Sequence, residues 1–355
     1  MKRTKLFIQI PCFNEEKTLP FVIAGLPRKI EGIDEIYVLI IDDGCDDKTV
    51  DVAKRLGVDY IVRNHRRLGL AQSFSRGLEA SVFLGADIIV NTDGDNQYSG
   101  TGIAELVKPI LERKADIVIG CRDIEGNKDF HWFKKFLQKL GSNIVRRLSG
   151  TDVSDTTSGF RAISRLATMR FFTLSNFSYT LEMLIQAGQM GMRIESTHVQ
   201  VNEELRESRL MKSIPHFITQ QLKTLLKVCL FYYPMRFFGY LFSVSFIISI
   251  LLSIRIFYFL LLIDPGQLKF KTGSGILLLF TTIIGVLFIV AGLLFAFLSG
   301  LRLLIFDIRS RVRNLEIQQG ILPFDVDIIT ATQFFQWAKI KNNDKQDNIY
   351  YSLNA

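Results

Sequence analysis

Cysteine is scarce and unpaired: Cys12, Cys45, Cys121 and Cys229 stand singly, with no C-x-x-C among them. That excludes a disulfide framework and the usual zinc spacings, and it suits a reducing compartment. A secretory signal is also missing. Met1 to Lys5 is basic but runs into a short apolar stretch ended by Pro11, too brief for a signal core with its cleavage site. The first half is therefore expected to stay on the side where it is made. No basic-aromatic motif accompanies the excess of 43 Lys+Arg over 35 Asp+Glu, so the net charge of +8 points to a membrane surface or a phosphorylated substrate and away from nucleic acid. Nor is the composition that of a disordered or collagenous chain: of 355 residues, 48% are apolar and 22% charged, as in ordinary folded domains.

What is present falls into two unlike halves. Apolar, β-branched runs at Leu6 to Ile10, Glu35 to Ile41, Tyr60 to Val62, Asp87 to Val90 and Asp116 to Ile119 are each followed by apolar residues at helical spacing. This alternation predicts a parallel sheet covered on both faces, with ligands at the carboxyl ends of its strands. The second half holds 13 of the 29 Phe between Phe231 and Phe306, and two long apolar stretches, Phe237 to Ile263 and Gly275 to Gly300. Each exceeds the ~20 residues that cross ~30 Å of hydrocarbon. Arg255 is the single charge in the first stretch, and the second has none.

Lys223, Lys227 and Arg236 precede the first stretch, and Arg302, Arg309, Arg311 and Arg313 follow the second. The positive-inside bias places both outer flanks in the cytoplasm. The expected organisation is an N-terminal cytoplasmic domain over 1–211, a juxtamembrane amphipathic helix over 212–236, a first transmembrane helix over 237–263, a short extracytoplasmic loop over 264–274, a second transmembrane helix over 275–300 and a basic cytoplasmic tail over 301–355. The localisation expected is the cytoplasmic (inner) membrane.

Polar residues cluster after the predicted strands. The first strand ends in Pro11-Cys12-Phe13-Asn14-Glu15-Glu16 and the second in Asp42-Asp43-Gly44-Cys45-Asp46-Asp47-Lys48-Thr49. Acidic groups at neighbouring strand tips accept hydrogen bonds from a base imide and ribose hydroxyls, while Asn14, Asp46 and Asp47 read equally as helix caps. After the fourth run comes Asn91-Thr92-Asp93-Gly94-Asp95-Asn96-Gln97-Tyr98. In an extended chain Asp93, Asp95 and Gln97 share one side, a set of hard oxygen donors for Mg²⁺ or Mn²⁺; the other reading is an Asp-Gly turn. A calcium loop is excluded, because Tyr98 stands where it needs Gly and Ala104 where it needs Glu. Arg122, Arg161 in Ser158-Gly159-Phe160-Arg161, and Arg206 with Ser208, Arg209 and Lys212 offer guanidinium and ammonium groups to phosphates or to lipid headgroups.

Taken in order, Pro11 with Asn14-Glu15-Glu16, Asp42-Asp43-Gly44 with Asp46 and Thr49, Asp93-Gly94-Asp95 with Gln97, Arg122, Gly159-Phe160-Arg161 and Arg206 to Lys212 resemble the motifs of family 2 glycosyltransferases. Within that family the chain looks like the polyprenyl-phosphate and dolichyl-phosphate sugar synthases with two C-terminal transmembrane helices. The resemblance implies a GT-A, Rossmann-like α/β domain with a mainly parallel sheet. It implies an inverting transfer of one sugar from a nucleotide-diphosphate sugar to a polyprenyl (undecaprenyl or dolichyl) phosphate at the cytoplasmic face. Carried onto matching positions, Pro11, Asn14, Glu15, Asp42 and Asp93 bind the nucleotide sugar, and Asp93, Asp95 and Gln97 hold Mg²⁺ or Mn²⁺. Asp95, Arg122, Arg161 and Arg206 are then catalytic, and Arg122, Arg206, Ser208 and Arg209 meet the acceptor phosphate. Asp155 reads as an arginine partner, with a general base as the alternative. Cys45 stands where Ser is usual, Gly94 where Ala is frequent, and Arg67 where Asn is common, a change that bears on donor contacts.

Two other functions compete. A processive polysaccharide synthase carries Q-x-x-R-W before a larger set of helices; here Gln333-Phe334-Phe335-Gln336-Trp337 lacks the Arg and follows both apolar stretches. A non-catalytic membrane protein that binds a nucleotide sugar is disfavoured by the intact Asp93, Asp95 and Gln97 set. The partners expected are the nucleotide sugar, the polyprenyl phosphate lipid and the membrane, with a homo-oligomer left open.

Overall fold

The computed structural model describes residues 3–122, 153–173, 179–202, 229–262, 271–321 and 327–330, with a few single positions between 146 and 227. Strands and helices alternate from the start: β1 (Lys5–Cys12), α1 (Leu19–Gly25), β2 (Glu35–Asp42), α2 (Thr49–Arg55), β3 (Tyr60–Arg63), α3 (Leu70–Phe83), β4 (Ile88–Asn91), α4 (Gly102–Leu111) and β5 (Ile117–Cys121). Then follow β6 (Arg161–Ser164), α5 (Arg165–Arg170), α6 (Tyr179–Gln189) and β7 (Ile194–His198). The chain continues in α7 (Pro234–Leu262), α8 (Lys271–Gln318) and β8 (Asp327–Thr330).

The eight strands form one sheet in the order β7-β5-β6-β4-β1-β2-β3-β8. Pairs β1–β2, β1–β4, β2–β3 and β5–β7 are parallel, while β6 runs against both β4 and β5, and β8 runs against β3. The mostly parallel α/β reading therefore holds. Burial on both faces explains why β1 is apolar at nearly every position: Leu6, Ile8 and Ile10 join a core with residues of α1, α2 and α4, and Phe7 on the other face meets Tyr37 and Tyr60. Helix α3 lies on β1 and β2. A Cβ at Gly77 would stand 2.6 Å from Gln9 Oε1, so only glycine lets this helix come so close to the sheet.

The chain divides into two compact units, Met1–Lys212 with Arg309–Ala355, and Ser213–Ile308. The second unit contains two helices long and apolar enough to cross a membrane, with 6% and 11% of their most apolar windows buried. Ser245 donates to the Thr281 carbonyl at 2.6 Å, Ser249 Oγ to Thr281 Oγ1 at 2.9 Å, and Gly292 admits Phe238 at 3.1 Å from where its Cβ would be. Small and hydroxylic residues thus bring the two helices together.

The C-terminal region differs from the expected tail. Helix α8 does not stop at Gly300, because Leu301 to Arg313 contains no breaker. It ends in a Schellman motif at Gly320 (φ 71°), with Ile321 N donating to Glu316 O at 2.8 Å and Gly320 N to Ile317 O at 3.1 Å. Near that end, Arg313 and Arg309 both reach Glu79 of α3, Arg309 at 3.5 Å. The chain then adds β8 to the edge of the sheet. Most of the expected juxtamembrane helix lies outside the described residues.

Candidate active site

The strand order places the site. From β1 the chain moves one way to β2 and β3, then returns to lay β4 on the opposite side of β1. Such a switch opens a crevice at the carboxyl ends of the two strands, where ligands bind in open α/β sheets.

On the β1–β2 side the loop Phe13 to Thr18 is fastened to the turn after β2. Asn14 is left-handed (φ 56°), and its Oδ1 accepts from Asp46 N at 2.9 Å; Glu15 N donates to Thr49 Oγ1 at 2.7 Å and Glu16 N to Asp47 Oδ2 at 3.1 Å. Asp47 Oδ1 also accepts from Thr49 N at 2.9 Å, which closes the turn into α2, whose N-cap is Lys48. Thr18 Oγ1 lies 2.8 Å from Glu15 Oε2 and 2.7 Å from the Gly94 carbonyl, which binds this loop to the turn after β4. Pro11 is buried at the end of β1, and its carbonyl would be 3.5 Å from a Cβ on Gly94.

Asp42 is wholly buried, with Oδ1 accepting from Cys45 N at 2.8 Å and Oδ2 from Arg63 Nε at 3.2 Å, so its carboxylate holds the β2 turn to β3. Asp43 fastens the next loop: Oδ1 accepts from Leu68 N at 2.8 Å and Asn64 Nδ2 at 3.0 Å, and Oδ2 from Gly69 N at 2.9 Å. Gly44 (φ 75°) lets that loop come close, its Cβ position being 3.0 Å from Arg67 N. Arg67 is thereby set over Phe13, its guanidinium carbon 3.8 Å from the ring centroid.

After β4 the chain turns at once. Residues Gly94 and Asp95 form a turn, Asn96 is left-handed (φ 63°), and Asp95 Oδ1 accepts from Gln97 N at 3.1 Å. The alternation that put Asp93, Asp95 and Gln97 on one side therefore fails, and Gln97 Oε1 instead accepts from Arg122 at 3.4 Å. Asp93 and Asp95 lie together at this turn, with Gln97 engaged by Arg122 beside them. Burial first, and the charge of Asp95 second, push Asp93 up to about 7, against the pull of Arg122 and Arg161. Among the described residues no N–H or O–H donates to the Asp93 carboxylate, and no group of three His, Cys, Asp or Glu side chains is placed to hold a metal. Two repelling carboxylates with unfilled acceptor capacity fit Mg²⁺ or Mn²⁺, which commonly takes one or two protein carboxylates and leaves its other positions to water and substrate oxygens.

Beneath the pair lies a buried polar relay that the sequence reading missed. Gln9 Nε2 donates to Asn91 Oδ1 at 2.9 Å, and Asn91 Nδ2 to the Gly159 carbonyl at 2.8 Å. A Cβ at Gly159 would stand 2.9 Å from Asp93 Oδ2 and 3.0 Å from the Tyr179 hydroxyl. An asparagine closing an apolar strand run was the available signal, because a polar group there needs a buried partner.

Arg122, at the tip of β5, is tied to Asp155 by Nε–Oδ2 at 2.7 Å and Nη2–Oδ1 at 3.3 Å, and to Thr157 Oγ1 at 3.2 Å. Burial alone would raise the Asp155 carboxyl, but Arg122 and the Thr157 hydrogen bonds outweigh it and hold the group below its ordinary value. Asp155 is the arginine partner, with both oxygens engaged. Arg122 consequently brings little uncompensated charge, although its side chain keeps 19% exposure at the site's edge. Arg161 is corrected outright. It is fully buried and donates to the carbonyls of Ser158 (2.7 Å), Thr180 (2.8 Å) and Thr156 (3.1 Å), so it ties the sheet to the loop before β6 and to α6, with no approach to a phosphate. Arg206, Ser208 and Arg209 lie outside the described residues.

The Glycosyl transferase family 2 model matches residues 7–172. The chain is 30% identical over 181 residues to the UDP-N-acetylglucosamine--dolichyl-phosphate N-acetylglucosaminyltransferase of Methanococcus voltae, spanning 46% of this chain and 70% of that protein. It is 27% identical over 217 residues to the undecaprenyl-phosphate mannosyltransferase of Micrococcus luteus, spanning 58% of this chain and 87% of that protein. Among solved structures, the glucosyl-3-phosphoglycerate synthase of Mycobacterium tuberculosis, crystallised with Mn²⁺, UDP and phosphoglyceric acid, matches with a TM-score of 0.51 at 21% identity, over 64% of this chain and 78% of that one. That likeness is one of fold, a GT-A-like sheet and its helices.

Proposed function

The chain belongs to glycosyltransferase family 2, and from that premise we propose that it transfers one sugar from a nucleotide-diphosphate sugar to a polyprenyl phosphate at the membrane surface, with inversion at the anomeric carbon. The observation that carries this reading is the Asp93–Asp95 carboxylate pair at the β1–β4 switch point, under-supplied with hydrogen-bond donors. Held there by Asp93 and Asp95, Mg²⁺ or Mn²⁺ would neutralise the charge that builds on a departing diphosphate. The names of the Micrococcus and Methanococcus relatives support a lipid phosphate as acceptor. The Mn²⁺ and UDP in the Mycobacterium structure agree with the donor and metal.

The chain's own groups do the following work. Pro11, Asn14 and Glu15 bound the donor crevice on the β1 side. Gly159 leaves room for the Asp93 carboxylate, and the Gln9–Asn91 relay fixes the backbone that carries it. Asp155 fixes Arg122 at the rim by two hydrogen bonds, which makes Asp155 a positioning group. A strong general base is unnecessary, because a phosphate monoester has a second pKa near ~6 and arrives as an oxyanion. Arg206, Ser208 and Arg209 are proposed as acceptor-phosphate ligands, with Arg122 beside them. The catalytic domain is proposed to face the cytoplasm.

Incubating the purified full chain with radiolabelled sugar nucleotides, polyprenyl phosphate and Mg²⁺ or Mn²⁺ tests this. One labelled lipid, lost in excess chelator and in Asp95→Ala, is expected. A labelled polymer would identify a processive enzyme, and no transfer from any donor a binding protein; either result overturns the proposal.

A further inference from the structure

Beyond β7 the chain stays at the site. Val199 N donates at 3.0 Å to the carbonyl of Cys121, the residue before Arg122, and the next three residues cross to the turn after β4. There Tyr98 and Val201 form an antiparallel bridge, Ser99 N donates to Gln200 O at 3.3 Å, and Asn202 N donates to Gln97 O at 2.9 Å. The side chain of Asn202 turns back on the same loop: Nδ2 donates to Asn96 O at 3.0 Å, with Asn96 Oδ1 and Tyr98 O each at 3.4 Å. Three oxygens around one amide nitrogen fix its orientation, because only the NH₂ end of the Asn202 amide can face them. The carbonyl it holds belongs to the left-handed Asn96, a conformation uncommon for a residue with a Cβ and secured here from outside the turn. Asn202 and Gln97 thus form a joint between two parts of the site. On one side Gln97 N donates to Asp95 Oδ1, and on the other Gln97 Oε1 accepts from Arg122. Arg206 follows Asn202 by four residues in the sequence.

We propose that Asn202 is a positioning residue that couples these two parts, so that the divalent cation at Asp93 and Asp95 and the lipid phosphate bind cooperatively. The inference rests on the metal and acceptor reading above and adds a link between them. A cation on Asp95 orders the turn, and with it the Asn96 and Gln97 carbonyls to which Asn202 donates. A phosphate held by Arg122, and by Arg206 further along the segment that Asn202 anchors, orders the same joint from the other side. The ligand that arrives first bears the entropy of fixing the joint, so the second binds more tightly, and the gain is equal in either order. Asn202 acts through Asn96 and Gln97 and not by contact with either ligand.

Mn²⁺ binding to the full-length protein in detergent micelles, read by loss of the free Mn²⁺ electron paramagnetic resonance signal with and without undecaprenyl phosphate, tests the assignment. The Asp95→Ala protein in the same micelles supplies the background of Mn²⁺ held by the lipid phosphate alone. In wild type the lipid should tighten Mn²⁺ binding at least about fivefold. Asn202→Ala should cut that gain to within about twofold, and Asn202→Asp, which keeps the shape and removes the side-chain donors, should do the same. Both variants, without metal, should melt within about 4 °C of wild type, the shift expected for one partly exposed hydrogen bond. Full gain in either variant, or no gain in wild type, overturns the proposal. A melting point lower by more than about 10 °C overturns it in favour of a purely structural contact. A wild-type protein that binds no more Mn²⁺ than Asp95→Ala overturns the metal reading itself, so the two failures are told apart.

Discussion

At the scale of single residues, Asp93 decides whether this crevice works as a cation site. The carboxyl is pushed up to about 7, well above the ordinary ~3.9, so the folded metal-free protein holds this proton more tightly than the unfolded chain does. The group therefore favours folding below pH ~4, and that contribution is lost as the pH rises through its folded value. A divalent cation needs the deprotonated pair, and binding to the folded state alone raises stability by mass action. Mg²⁺ should thus raise the melting temperature clearly at about pH 8 and little at about pH 5, and Asp95→Asn should abolish most of the difference. Equal shifts at both pH values, or a full shift in Asp95→Asn, would contradict the assignment. The aspartate pair stood out in the sequence as two carboxylates after an apolar run, and the Asp-Gly turn that was its other reading is present as well. The extended backbone expected for Asp93 to Gln97 is absent, because the left-handed Asn96 breaks the alternation. The contact of Asp42 with Arg63 was not legible, because Arg63 is distant in sequence and enters only through strand pairing.

Whole elements were legible in proportion to how far their pattern differed from the alternatives. β1 to β5 follow apolar, β-branched runs with helical stretches between them, and the long apolar stretches of α7 and α8 are apolar around the full circumference of each helix. The strands β6 and β8 are four residues each and antiparallel, too short for a periodicity, and β6 opens on a buried arginine that reads as a surface charge until its three carbonyl partners are known. The end of α8 was hidden for the same reason: Arg309 and Arg313 looked like a basic membrane flank, whereas Arg313 is buried against Glu79. Removing one partner of a buried pair leaves a charge without compensation, which costs more than the pair contributes. Arg313→Ala should therefore destabilise the first unit by about 2 to 3 kcal/mol, softened by Arg309, and adding Glu79→Gln should recover most of the loss. Thermal or denaturant unfolding of the full chain in detergent reads this double-mutant cycle. Strictly additive losses would mean that the two side chains do not depend on each other.

For the whole molecule, β8 constrains the topology more tightly than the charge bias does. It follows both apolar helices in sequence, yet it pairs antiparallel with β3, Tyr60 opposite Thr330 and Arg63 opposite Asp327, in a sheet whose other strands all precede those helices. A chain that leaves the sheet, enters the bilayer and returns to the same sheet must cross an even number of times. Two helices, both long and apolar enough to span, satisfy that condition, and a single crossing does not. The Arg309 and Arg313 contacts with Glu79 impose the same requirement independently. Arg255 fits as well: it lies within the last turns of α7, within roughly 12 Å of the helix end, close enough for its guanidinium to extend to the interface. The prediction is that the segment between the helices is outside, with the N-terminal domain and everything after α8 inside. In a cysteine-free background, Lys269→Cys should react with a membrane-impermeant maleimide on intact cells, and Gln336→Cys only after permeabilisation. Equal labelling from outside would break the argument at its strongest point, because it would separate β8 from the strand with which it pairs.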